Sequence, residues 1–108
     1  MTTEQPPTEY QVTFWRDLPS MVVARAGDDV AKAPLTGRLQ AAIDEAAMRL
    51  GETGSEDYLA GWARGPWTGA EGSPAEVLEQ VRADLEQQWP ARRLTGYLDD
   101  LGPRKAQS

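Results

Sequence analysis

The chain predicts an α+β fold: a small antiparallel sheet, made of an N-terminal hairpin and a third strand, covered on one face by two to three helices. Three observations carry this. Two runs rich in β-branched and aromatic residues lie within residues 10–26. Apolar side chains recur at helical spacing across residues 35–50. Ser73-Pro74-Ala75-Glu76 opens another helix with an N-cap serine, a first-turn proline and a capping-box glutamate.

In order, Tyr10 to Arg16 reads as a strand with Tyr10, Val12 and Phe14 on one face and Gln11, Thr13 and Trp15 on the other. Asp17-Leu18-Pro19 supplies a turn, and Ser20 to Ala26 reads as the second strand of a hairpin. Met21, Val23 and Arg25 share one of its faces; Val22 and Ala24 share the other. The Gly27-Asp28-Asp29 that follows reads as a loop. Leu35 to Leu50 is the clearest helix, with Leu39, Ile43, Ala46 and Leu50 in one stripe, Pro34 at its start and Gly51 at its end. Ser55 to Ala60 adds a short helical turn. Gly61 to Ala70 reads as an irregular or edge strand, because Pro66 has no N–H for a central ladder. The capped helix runs to Gln88 or Trp89 on Val77, Val81 and Leu85, and Pro90 breaks it. A last helix, Arg92 to Leu101, sets Leu94, Tyr97, Leu98 and Leu101 on one side. One domain over residues 10–101 is expected, with loose tails at 1–9 and 102–108.

Composition narrows the function classes. With no cysteine there is no disulfide scaffold, no thiolate metal site and no thiol chemistry, and a reducing, cytoplasmic setting is expected. With no histidine either, Ser-His-Asp and Cys-His machinery and the common zinc sites are excluded. The start MTTEQPPTEY lacks the pattern of a signal peptide, and no apolar run approaches the roughly 20 residues that span a bilayer. The net charge of −6 argues against nonspecific nucleic-acid binding. That charge is unevenly spread: residues 51–90 carry two basic and eight acidic side chains, while residues 10–50 balance.

Carboxylate chemistry is what remains, but Asp28-Asp29, Asp44-Glu45 and Asp99-Asp100 are adjacent pairs, and neighbours on a helix diverge by about 100°. They read as solvated surface charge. No EF-hand loop, GxGxxG or GxxxxGK[ST] occurs. Neither metal nor cofactor is expected. The four tryptophans are more informative. If helices cover one sheet face, some of Trp15, Val22, Trp62 and Trp67 lie on the other, where an aromatic patch marks an interaction site; alternatively these rings fill the margins of a small core. Trp15, Arg16, Val22, Arg25, Trp62 and Trp67 are the candidate partner contacts. Arg16, Arg25, Lys32 and Arg38 flank the hairpin and first helix and are the candidate contacts of a small-molecule or phosphate site.

The stretch YQVTFWRDLPSMVVAR, then LTGRLQAAIDEAAMRLG, YLAGWARG and SPAEVLEQVRADLEQQW, resembles the small domain family labelled "virulence factor", from about Tyr10 to Leu101. That domain is also similar to the end of a larger protein called conserved virulence factor C. The resemblance implies no assigned activity and no catalytic residues. It also implies an association with the neighbourhood of folate and corrinoid one-carbon enzymes, which suits a small accessory subunit. The expectation is a non-enzymatic cytoplasmic interaction domain, docking a protein partner or a second copy of itself through the aromatic hairpin face, with no nucleic acid and no membrane. The alternative is the small-molecule or phosphate-binding module.

Overall fold

The aromatic and β-branched run at the start of the chain forms β1, Thr8–Trp15, in a computed structural model that describes residues 7–51 and 55–103. Strand pairing begins two residues earlier than the sequence suggests, because Thr8 and Glu9 pair with Ala70 and Gly69. The expected tails fall mostly on residues 1–6 and 104–108, outside the described residues.

A two-residue loop, Arg16-Asp17, reverses the chain into β2, Leu18–Ala26. Leu18 and Pro19, expected in the turn, therefore belong to the strand. Arg16 takes φ 53°, a left-handed conformation that lets so short a loop follow the twist of the strands. Its amide donates to the Gly61 carbonyl at 2.8 Å. β2 spends an extra residue, Ser20, between the partners of Thr13 and Phe14, so simple alternation fails at this end of the hairpin.

The expected loop after Ala26 is a second tight turn. Gly27, at φ 60°, and Asp28 reverse the chain into β3, Asp29–Pro34, which pairs antiparallel with β2. Leu35 extends that ladder by donating to the Ser20 carbonyl at 2.9 Å, so helix α1 starts later than expected and spans Gly37–Leu50. Pro34 thus ends a strand rather than opening a helix. After α2, Ser55–Ala60, the expected third strand appears as two pieces, β4 (Trp62–Arg64) and β5 (Thr68–Ala70). Both pair with β1, at its two ends. Gly65-Pro66-Trp67 crosses the gap between them: the Gly65 backbone amide donates to the Val12 carbonyl at 2.9 Å, and the Gln11 side chain donates through Nε2 to the Gly65 carbonyl at 3.0 Å. Pro66 could not have carried the ladder through. The order is β3-β2-β1-β4, with β5 beside β4 on β1.

Helix α3, Pro74–Gln88, begins as the sequence says: the Ser73 hydroxyl accepts from the Glu76 amide at 3.2 Å. The N-terminus of α1 has no side-chain cap of its own. Glu86 of α3 supplies one, accepting from the Thr36 amide at 2.9 Å, the Thr36 hydroxyl at 3.0 Å and Arg38 at 3.2 Å. Helix α4, Ala91–Asp100, closes the chain, with Trp89 buried before it and set edge-on to Tyr97.

The core joins Val12, Leu18, Val22 and Ala24 of the sheet to Leu39, Ile43 and Ala46 of α1 and to Val77 and Leu78 of α3, with Leu94 from α4. The fold is α+β, an antiparallel sheet with its helices against one face.

Candidate functional site: the uncovered sheet face

Side chains alternate across a strand, so those between the core residues point away from the helices. They are Gln11 and Thr13 of β1, Met21, Val23 and Arg25 of β2, Val30 and Lys32 of β3, and Arg64 of β4. With Trp67 of the β4–β5 connection they line a hollow of about 430 Å³. Strand register sets the neighbours: Gln11 opposes Val23, Thr13 lies between Met21 and Arg64, Val23 opposes Lys32, and Arg25 opposes Val30. Val30 is 57% exposed, whereas Met21, Val23 and Trp67 are half-buried among the longer side chains.

The charge of this face is opposite to that of the chain. Arg25, Lys32 and Arg64 are exposed on it. Arg25 sets its Cζ over the Trp67 ring, 3.6 Å from the centroid, and bonds Glu9 at 2.7 Å. Among the described residues neither Lys32 nor Arg64 has an ion-pair partner. Three cations and one carboxylate thus frame an apolar floor, in a chain with net charge −6.

Trp15 and Val22, expected on an exposed patch, are instead fully buried at 0% exposure. Val22 sits on the helix-facing side of β2. Trp15 is enclosed by α2: its ring stacks on Tyr58 with centroids 5.9 Å apart, and its indole N–H donates to the Tyr58 carbonyl at 2.8 Å. Gly61 lies so close to the indole that a Cβ there would be 2.6 Å from Nε1. Trp62 is half-buried and packs edge-on against Tyr58 at 5.8 Å. Of the six expected partner contacts, the hollow gathers Arg25 and Trp67.

The four expected ligand contacts do not form one site. Arg25 and Lys32 share the hollow. Arg38 is on the helical layer, paired with Glu86. Arg16 stands at the β1–β2 turn, 5.5 Å from the Trp15 ring, and lines a separate cleft of about 450 Å³ with Asp17, Leu50, Gly61, Tyr97 and Leu101. There the Tyr97 hydroxyl donates to Asp17 at 3.2 Å, and burial, helped by the Asp17 carboxylate, raises the phenol above its ordinary value.

Of the residues that line the hollow, Gln11, Thr13, Met21, Val23, Val30 and Arg64 are not among the expected contacts, although alternation places Met21 and Val23 on one face with Arg25. The signal for Val30 was present: Gly27-Asp28 is a hairpin dipeptide, and Val30 and Lys32 alternate with Ala31 and Ala33. Nothing in the sequence marked Arg64, which depends on the register of β4 against Thr13.

Among the described residues no group of three His, Cys, Asp or Glu side chains could hold a metal ion, and no helix is long and apolar enough to cross a membrane. No curated protein and no solved structure matches the chain. The family described as "Virulence factor" matches residues 13–97, a span that takes in the last three residues of β1, every later strand, and α1 through most of α4. The chain belongs to the virulence factor domain family.

Proposed function

We propose that this domain is a non-catalytic accessory subunit that docks a protein partner on the uncovered face of its sheet, in the cytoplasm. One observation carries the reading: helices bury one face of the sheet, while the other keeps an apolar floor of Met21, Val23 and Val30 under three cations. An antiparallel sheet commonly leaves one face to water with polar side chains on it, so the apolar Met21, Val23 and Val30 are what call for a partner there. The absence of histidine and cysteine supports a binding role over catalysis. Pairing of two copies through this face is disfavoured, because a twofold interface would bring Arg25, Lys32 and Arg64 of one copy against the same cations of the other.

A second reading, an anion-binding module connected with one-carbon metabolism, draws on the convergence of Arg25, Lys32 and Arg64 around the hollow. Its expected contacts Arg16 and Arg38 lie elsewhere. Thermal shift of the chain with phosphate, nucleotides and folates separates the two, since a ligand of the native state raises the unfolding midpoint.

The docking reading is tested by native affinity purification with Val30→Glu and Leu59→Glu. Both residues are exposed, 57% and 65%, but Leu59 is on α2, away from the hollow. A partner held by wild type and L59E and lost by V30E supports the reading. Retention by V30E, or no partner at all, overturns it.

A further inference from the structure

We infer that the occupant of the uncovered face is an acidic amphipathic helix of a partner protein, its apolar stripe on Met21 and Val23 and its carboxylates against Lys32 and Arg64. The inference rests on the docking reading above and names the partner's chemistry.

Backbone pairing decides between helix and strand. The N–H and C=O groups of β1 and β2 are spent within the sheet, so this face offers side chains alone. An extended segment laid on it would bury backbone groups with no partner, whereas a helix satisfies its own. Strand addition would occur at the outer edge of β3 and would leave the face bare. The sheet is four strands wide, spaced at roughly 4.8 Å, so the platform accommodates one helix of about 10 Å diameter.

Charge selects the sign of that helix. Arg25 is committed to Glu9 and Trp67, while Lys32 and Arg64 stand exposed on either side of the apolar floor. Carboxylates flanking a leucine-type stripe meet both. Helix α3 of a second copy has acidic residues, Glu76, Glu79 and Asp84, but its apolar residues Val77 and Leu78 are already buried in its own core. It has no stripe left to offer. Single-stranded nucleic acid would use Trp67 as a stacking platform, yet one face of that ring is taken by Arg25.

The test uses the full chain, labelled for amide NMR, and two synthetic amphipathic peptides of about 18 residues, roughly five helical turns. One presents a leucine stripe flanked by glutamates, the other the same stripe flanked by lysines. The glutamate peptide is expected to shift β2, β3 and the Trp67 indole, and to bind more weakly as salt rises. The double variant K32E/R64E, at two exposed positions, should weaken it at least about tenfold, ~1.4 kcal/mol, and should favour the lysine peptide instead. Equal binding of both peptides by wild type, shifts confined to the helices, or tighter occupancy of the face by oligothymidylate would overturn the inference. A native partner lost by V30E but held undiminished by K32E/R64E overturns the acidic helix alone; one retained by V30E overturns the docking reading as well.

Discussion

Replacing Gly61 with alanine tests how Trp15 is held. The added Cβ would sit 2.6 Å from Nε1 and 2.7 Å from Cε2 of the indole, closer than real contacts allow. The ring has no room to retreat, being fully buried, stacked on Tyr58 and hydrogen-bonded to the Tyr58 carbonyl. The backbone is equally constrained: the Gly61 amide donates to that same carbonyl, and its own carbonyl accepts from Arg16. Overpacking a filled core costs about 1–3 kcal/mol. Breaking the indole hydrogen bond in a buried site adds about 1–3 kcal/mol. A loss of about 2–6 kcal/mol is therefore expected, a large part of the roughly 5–15 kcal/mol typical of a domain. Urea unfolding followed by tryptophan fluorescence measures it. Gly69→Ala is the control, since a Cβ there meets nothing within 4 Å; its effect should stay within about 1 kcal/mol of zero. A G61A protein within about 0.5 kcal/mol of G69A would refute the reasoning, because that is the scatter of ordinary surface substitutions.

Three further outcomes are expected. Glu86→Ala removes the cap that α3 provides for α1 and should cost about 1–2 kcal/mol in urea, with amide exchange rising first at Thr36 to Leu39. The raised Tyr97 phenol means the native state keeps its proton longer than the unfolded chain; its stabilising contribution is complete below about pH 10 and is lost as pH rises through the native value. The urea midpoint should therefore fall less steeply above about pH 10 in Tyr97→Phe than in wild type. At Arg16, φ 53° disfavours branched side chains and suits asparagine, so Arg16→Val should be about 1–2 kcal/mol less stable than Arg16→Asn by thermal unfolding.

Local signals in the sequence located most of the elements. The alternation of β2 from Met21 to Arg25, the stripe of α1 and the Ser73 cap are short-range features and appear where the residues place them, while β1, β2 and α1 form with shifted bounds. What the sequence concealed was set by contacts between distant segments. Trp15 follows the alternation that would expose it, yet Tyr58, more than forty residues later, closes over it. Thr8 and Glu9 have little apolar character but find β5. Pro34 resembles a helix-opening proline, and it ends a strand because Ser20 receives the Leu35 amide. For the site, the grouping of Met21, Val23 and Arg25 was legible from period-two alternation alone. The choice of Val22 in their place could not survive, since that residue shares the face of Ala24, which α1 and α3 bury.

β3 converts the hairpin into a surface. Two strands alone would present a ribbon with Arg25 and Met21 at its margins and little apolar area between them. Adding Asp29–Pro34 brings Val30 opposite Arg25 and Lys32 opposite Val23, so the apolar floor gains a second row and a second cation. β4 does the same from the other side by setting Arg64 opposite Thr13. The split in the outer strand at Pro66 then delivers Trp67 over the floor, where Arg25 meets its ring at 3.6 Å. Each of these placements puts a cation or an apolar group outward in a chain whose excess charge is negative. The result is a cationic, partly apolar face on an acidic chain, and the proposed docking rests on that contrast.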